Sequence, residues 1–336
     1  PPITGNHKIN PELKGPAALL SILSDGQFHS GQDIATQLDI SRTAIWKSIK
    51  HLETLGLQIE AVRGRGYCLV SPIELLSEKK IKSELSPTAR QFCNELIVLF
   101  KTESTSSFLL NRLSSENNHG VVVLAEYQSK GRGRRGNQWV SPLASGVCIS
   151  VAWHFDVAPN ALGLLSLYMG VATARTLSAL GVTELGLKWP NDIVIKDKKL
   201  GGVLLELRGE ASGPVDVIIG IGINYDLPCF ALADIDKEVT DICSLTEMHL
   251  SRNKIAATLL SNIFEVLEEL ELGVSTDFLD EWRQYDQSVG RRAKLILPDQ
   301  EIEGILQGVD NQGLLLMIVD GQLKSFASGE VSLRIQ

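Results

Sequence analysis

Apolar residues recur at helical spacing between residues 16 and 56, and three short helices are predicted there. "AALLSILSD" sets Leu19, Leu20, Ile22 and Leu23 along one side. "SGQDIATQLDI" opens on Ser30, whose hydroxyl can cap a free backbone N–H, and spaces Ile34 and Leu38 by four. "ISRTAIWKSIKHLETLG" opens on a second such cap, Ser41, carries the stripe Ile45, Ile49, Leu52 and Leu55, and stops at Gly56. The period then shortens to two in "LQIEAVRGRGYCL" (57–69), a hairpin pattern with Arg63 and Arg65 around Gly64. Three helices and a hairpin in this order predict a winged helix-turn-helix over residues 17–72. Arg42, Thr43, Trp46, Lys47 and Lys50 stand opposite the apolar stripe, as major-groove reading requires, and the wing arginines would touch phosphates. A small helical domain with a solvated basic face is the alternative.

From residue 80 to 286 strand and helix patterns mix. Strands are predicted at 120–127, 146–155, 185–190, 192–195, 201–208 and 215–225, and helices at 161–180, 251–272 and 276–285. Clustered strands in the majority predict an α+β domain with a mixed or antiparallel sheet. Residues 288–336 alternate and turn at "PDQ", "DNQG" and "DGQ", the pattern of a small five- or six-stranded barrel. Residues 1–16 carry no organised pattern and read as a disordered lead-in.

Composition adds limits. The 336 residues are 44% hydrophobic and 21% charged, enough apolar material for more than one core. The apolar run at 161–174 is too short and too rich in small residues to span a bilayer, so no membrane role is expected. Five scattered cysteines form no CxxC pair and suggest a reduced, cytoplasmic protein, while the six histidines suggest no metal site. Residues 1–70 hold seven Lys/Arg against six Asp/Glu, a net +1, whereas the remaining 266 hold 25 against 34, a net −9. Only the N-terminal piece invites a polyanion.

One short stretch departs from that acidity. "YQSKGRGRRGNQW" (127–139) packs three arginines and a lysine among Gly131, Gly133 and Gly136. The glycines leave the backbone too loose for a regular element. The formal G-x-G-x-x-G match is not a dinucleotide turn, because "NQWVSP" cannot start the helix such a turn needs. Four mutually repelling cations suit a loop that orders around a compact anion, with forked guanidinium bonds to phosphate oxygens. "KWPND" (188–192) and "KDKKLGGVLLE" (196–206) add Lys188, Asn191, Asp192 and Lys199 to the candidate site.

"GRGRRGNQWVSP", "KWPNDIVI" and "KLGGVLLE", in this order and behind a winged helix, resemble the BirA-type bifunctional biotin–protein ligases and biotin-operon repressors. The resemblance runs from about residue 17 to the end. It implies a central class II synthetase-like domain and a C-terminal SH3-like barrel. It also implies a reaction in which biotin and ATP, with Mg2+, form biotinyl-5′-adenylate, and a lysine of a biotin carboxyl carrier protein takes the biotin. The adenylate-bound homodimer would repress the biotin operon by binding operator DNA. Residue by residue, the resemblance puts biotin contacts at Ser104, Thr105, Ser106, Gln128, Arg132, Gly133, Arg134 and Lys199. Arg134 and Lys199 are the expected catalytic pair, and Asn191, Asp192 and Asn224 the nucleotide or magnesium side. Ser106 departs from the usual asparagine. A lipoate–protein ligase, or a ligand-sensing repressor without ligase activity, remain the rivals.

Overall fold

The computed structural model describes residues 14–113, 118–210, 213–233, 235, 238–245, 250–273, 277–297, 300–328 and 332–335. Residues 1–13 of the expected lead-in lie outside that range. The chain begins with α1 (Pro16–Leu23), α2 (Gly31–Leu38) and α3 (Arg42–Thr54), then the antiparallel pair β1 (Ile59–Val62) and β2 (Gly66–Leu69). Ser30 Oγ accepts the N–H of Asp33, and Ser41 Oγ that of Ala44, so both caps act as their sequence positions imply. Leu19, Leu20, Leu23, Ile34, Ile45, Ile49 and Leu52 pack into one core, which also takes in Leu143 and, at its edge, Phe100 and Tyr127.

The central part contains α4 (Glu78–Glu84), α5 (Pro87–Phe92), β3 (Glu95–Thr102), α6 (Thr105–Arg112), β4 (Val121–Arg132), β5 (Gln138–Ser141) and β6 (Gly146–Phe155). It continues with α7 (Leu165–Ala179), β7 (Leu185–Lys188), β8 (Asp192–Ile195), β9 (Lys198–Gly209), β10 (Val215–Asn224) and two single turns, α8 (Cys229–Leu232) and α9 (Ile242–Leu245). The long α10 (Arg252–Glu271) and α11 (Phe278–Tyr285) close it. The sheet runs β3-β4-β6-β10-β9-β8-β7, with β5 paired to β4; β3 and β4 are parallel and the other pairs antiparallel. Alternation divides its faces. Val122 and Leu124 join the main core with α7 and α10, while Val121 and Val123 pack with Leu109 of α6.

Two expectations for the central part change. The helix predicted at 161–180 starts at Leu165, after a 3-10 turn at Pro159–Leu162. The arginine stretch is more regular than its glycines suggested: β4 continues to Arg132 and folds back on β5 through a 3-10 turn at Arg134–Gly136. Gly131 permits this, since a Cβ there would lie 2.2 Å from the Trp139 carbonyl oxygen on the paired strand.

The C-terminal strands are β11 (Arg292–Ile296), β12 (Glu301–Val309), β13 (Leu315–Val319), β14 (Gln322–Phe326) and β15 (Ser332–Ile335), paired in the order β14-β13-β12-β11-β15. Among the described residues no ladder joins β14 to β15, so the expected barrel is here a five-stranded sheet with two edges. The segment between those strands is in part outside the described residues. No helix among the described residues is long and apolar enough to cross a membrane, and all five cysteines are free.

One buried charge ties these parts together. Arg252, 1% exposed, opens α10 and spends its guanidinium on three partners. Nη1 donates to Glu126 Oε2 and to the Glu74 carbonyl, both at 2.8 Å, while Nε and Nη2 donate to the Gly146 carbonyl. Glu126 in turn accepts the Leu76 N–H, and Asn253 accepts from Ser77 N and donates to the Leu75 carbonyl. The connector at 74–77, β4, β6 and α10 are thereby held at one point. Arg252→Ala would strand the Glu126 carboxylate at 4% exposure, and the expected loss is about 3–5 kcal/mol in urea unfolding. An unchanged midpoint would mean that water replaces the guanidinium.

Candidate active site

In "VIIGIGIN" of β10 the isoleucines 219, 221 and 223 face the main core, which leaves Gly220 and Gly222 on the face toward α6. These glycines make room. A Cβ at Gly222 would stand 2.6 Å from the Trp139 ring, and one at Gly220 would stand 2.8 Å from Ser106 Oγ. Over this floor lies a cavity of about 420 Å³. Ser104, Thr105, Ser106, Gln128, Arg132, Gly133, Arg134, Asn191, Asp192, Lys199 and Asn224 all line it, so every ligand-site residue expected from the sequence meets here.

One end is neutral and buried. Ser104 caps α6, and Thr105 and Ser106 form its first turn. Gln128 Oε1 accepts the Thr105 N–H at 2.8 Å, and the Ser106 hydroxyl lies 3.0 Å from that of Ser150. Cys148 also borders the cavity, and its burial pushes the thiol pKa up, so it stays uncharged.

The other end is cationic. Arg132, Arg134, Arg135, Lys188 and Lys199 line it against, among the described residues, a single carboxylate, Asp192. Arg132 Nη2 meets Glu206 Oε1 at 2.7 Å, just behind the wall. Burial raises the Glu206 pKa, although Arg132 pulls it down, and among the described residues its Oε2 has no hydrogen-bond partner. Arg134 donates to Asn191 Oδ1 at 3.3 Å and to the Ser328 carbonyl; burial lowers its pKa, opposed by Asp192. Lys199 Nζ pairs with Asp192 Oδ1 at 2.5 Å and lies 5.6 Å from the Trp139 ring centroid. Its backbone is fixed as well: Lys199 N donates to Glu238 O, Thr240 N to Lys199 O, and Asn224 Nδ2 to Thr240 O. Such a site can hold a molecule with a polar uncharged head and a phosphate-bearing tail.

Trp139, Gly220, Gly222, Ser150 and Glu206 were not foreseen. The glycine alternation in "IIGIGIN" was the available signal, because a strand gives up packing at alternate positions only where something approaches closely. Ser150 and Glu206 left none, each reading as one polar residue in an apolar strand.

At the N-terminal helices, Arg42, Thr43, Trp46, Lys47 and Lys50 are all exposed on α3, Trp46 by 54%. Arg42 donates to Gln32, Lys50 pairs with Glu53, and both bonds are at the surface. Arg63 is exposed on the wing, and Arg65 stacks 3.9 Å from the Phe28 ring centroid.

Comparison with known proteins gives three family matches: the Biotin/lipoate A/B protein ligase family over residues 99–224, an HTH domain over 17–68, and the Biotin protein ligase C terminal domain over 289–334. The bifunctional ligase/repressor BirA of Salmonella typhimurium is 38% identical over 323 residues, covering 95% of this chain and 97% of that protein. Its namesake in Bacillus subtilis is 30% identical, covering 91% and 94%. Among solved structures, the biotin protein ligase from Aquifex aeolicus in complex with biotin and ATP aligns with a TM-score of 0.61 and 28% identity. That alignment covers 72% of this chain and 100% of the other.

The glycine floor is testable. Gly222→Ala forces the Trp139 ring off its place, and overpacking of this kind costs about 1–3 kcal/mol. Biotin affinity, measured by calorimetric titration, is expected to fall about tenfold or more, since the displaced ring no longer shapes the cavity wall. Unchanged affinity would remove Trp139 from the binding surface.

Proposed function

The chain belongs to the family of BirA-type bifunctional biotin ligases and repressors, and we propose that it activates biotin with ATP and passes it to a carrier protein. The observation that carries this reading is the single cavity that joins a buried hydroxyl-and-amide end to a cationic end. In the first step a biotin carboxylate oxygen attacks the α-phosphorus, the bond to the bridging oxygen breaks, and pyrophosphate leaves. In the second, the neutral amine of a carrier lysine attacks the acyl carbon and AMP departs. The mixed anhydride is already activated, so no side-chain nucleophile is required. What the protein must supply is position and countercharge.

In this reading Ser104, Thr105, Ser106 and Gln128 hold the biotin head. Arg132, Gly133, Arg134 and Lys199 meet the carboxylate and the phosphate, and Asn191, Asp192 and Asn224 lie on the nucleotide side. Arg134 would exchange its bonds to Asn191 and Ser328 for phosphate oxygens. Among the described residues no group of three His, Cys, Asp or Glu is placed to hold a metal. Mg2+ would be held by the phosphates of its nucleotide, with Asp192 the carboxylate on that side of the cavity.

Residues 17–72 would bind operator DNA through Arg42, Thr43, Trp46, Lys47, Lys50, Arg63 and Arg65. Residues 80–286 would form the catalytic, class II synthetase-like domain, and 288–336 an SH3-like barrel. The cytoplasm, which supplies both ATP and DNA, is the proposed location.

Incubation with biotin and lipoate together, Mg-ATP and an apo carrier domain, followed by mass analysis, tests the ligase. A carrier gaining one biotinyl group is expected; a carrier unmodified by folded protein overturns the reading, and one modified by lipoate instead favours the lipoate rival. Arg134→Gly should release the labelled adenylate about tenfold faster or more, for the loss of one charge-assisted bond worth about 1.5–3 kcal/mol. An unchanged release rate would remove Arg134 from the phosphate.

Repression is proposed to need a dimer, because a winged helix of net charge near +1 is a weak DNA binder and half-sites are read in pairs. Adenylate would favour pairing by ordering the arginine hairpin beforehand. In sedimentation the adenylate-bound protein should become dimeric where the free protein is monomeric, and substitution of Arg132 or Arg134 should weaken the shift. A dimer equally stable with and without adenylate would leave the winged helix without this switch.

A further inference from the structure

Four side chains at the neutral end of the cavity form a row whose hydrogens can be assigned by elimination. The Thr105 N–H donates to Gln128 Oε1 at 2.8 Å, and an N–H has no other option, so that atom is the amide oxygen. Thr105 Oγ1 lies 3.2 Å from the same oxygen, and because the oxygen only accepts, the threonine spends its one hydrogen there. Ser150 Oγ lies 2.8 Å from Thr105 Oγ1 and must therefore donate to it. Ser106 Oγ lies 3.0 Å from Ser150 Oγ, and the same logic makes Ser106 the donor. Each hydroxyl has one hydrogen, and all three are committed.

The consequence appears at the two ends of the row. Ser106 lines the cavity with lone pairs alone. Gln128 has its oxygen turned away and only N–H left to offer; the Cys148 sulfur beside it is a weak acceptor that a carbonyl outcompetes. Ser150 itself is 0% exposed and is not part of the lining. It sits on β6 opposite Gly220, whose missing side chain lets Ser106 close on it. Buried rows of this kind polarise each hydroxyl in turn and hold a single orientation.

We infer that Ser150 is a positioning residue that sets substrate specificity, by making Ser106 an obligatory acceptor for a substrate N–H beside a carbonyl that Gln128 serves. A cyclic urea has that pairing, an N–H next to a C=O. This rests on the biotin reading and deepens it.

Calorimetric titration of the full chain with biotin, without ATP, tests the row. Ser106→Ala and Ser150→Ala are each expected to raise Kd about tenfold, the effect of one hydrogen bond. The double variant should exceed either single one by less than about twofold, because Ser150 acts through Ser106. Additive losses, or no loss in Ser150→Ala, would reduce Ser150 to a packing residue and overturn the inference. A second measurement serves if Ser150→Ala fails to fold. The wild-type chain should reject one of the two mono-N-methyl isomers of biotin far more than Ser106→Ala does, and the other isomer equally. Equal selectivity for both isomers in both proteins would also overturn it. Folded wild-type protein that binds no biotin would instead defeat the ligase reading.

Discussion

Arg252 has no water to fall back on. Its guanidinium is buried beneath the connector, against a carboxylate that is buried as well, and such a charge is tolerable only when it is paired and hydrogen-bonded. Meeting that requirement brings four pieces of chain to one point: the connector at Glu74, strand β4 at Glu126, strand β6 at Gly146, and the first turn of α10. The site inherits this order. Gln128 is two residues beyond Glu126 on the same strand, and Gly146 pairs with Asn224, which holds the backbone around Lys199. A clamp that serves stability therefore also fixes both ends of the cavity.

The cavity depends on a second constraint, the two-residue period of β10. Isoleucine on one face anchors the strand in the main core, and glycine on the other lets Trp139 and Ser106 come within contact of the backbone. The same strand is thus structural on one side and a binding floor on the other. The cations rest on this floor in a chain whose net charge is −8. Concentrating them along one wall gives a local positive field that the distant acidic residues, screened by salt beyond about 10 Å, do not cancel. Partners at hand keep them from repelling one another: Glu206 for Arg132, Asn191 and the Ser328 carbonyl for Arg134, Asp192 for Lys199.

The hydrogen-bond row from Ser106 to Gln128 completes this division of labour. Charge at one end attracts and neutralises, while at the other end direction selects. A buried polar head can be told from near-isosteres only where the wall presents fixed donors and acceptors, since a mismatch leaves a buried group unpaired.

The sequence by itself determined what depends on neighbours in the chain. The capping serines 30 and 41, the stripe from Ile45 to Leu52 and the wing turn at Gly64 are local matters of spacing and hydrogen bonding, and they were legible. The cationic stretch at 130–135 and Lys199 could be marked as candidates because repelling charges need a partner wherever the chain puts them. Tertiary structure decided the rest. Arg252 reads as one more helical arginine until the fold buries it. Glu206 and Ser150 are single polar residues in apolar strands until register sets one beside Arg132 and the other beside Ser106. Gly131 suggested a loose loop, yet strand pairing used it as the one residue that fits against Trp139. In each case the energy comes from a group distant in sequence, and a pattern along the chain carries no record of what will face it across a sheet.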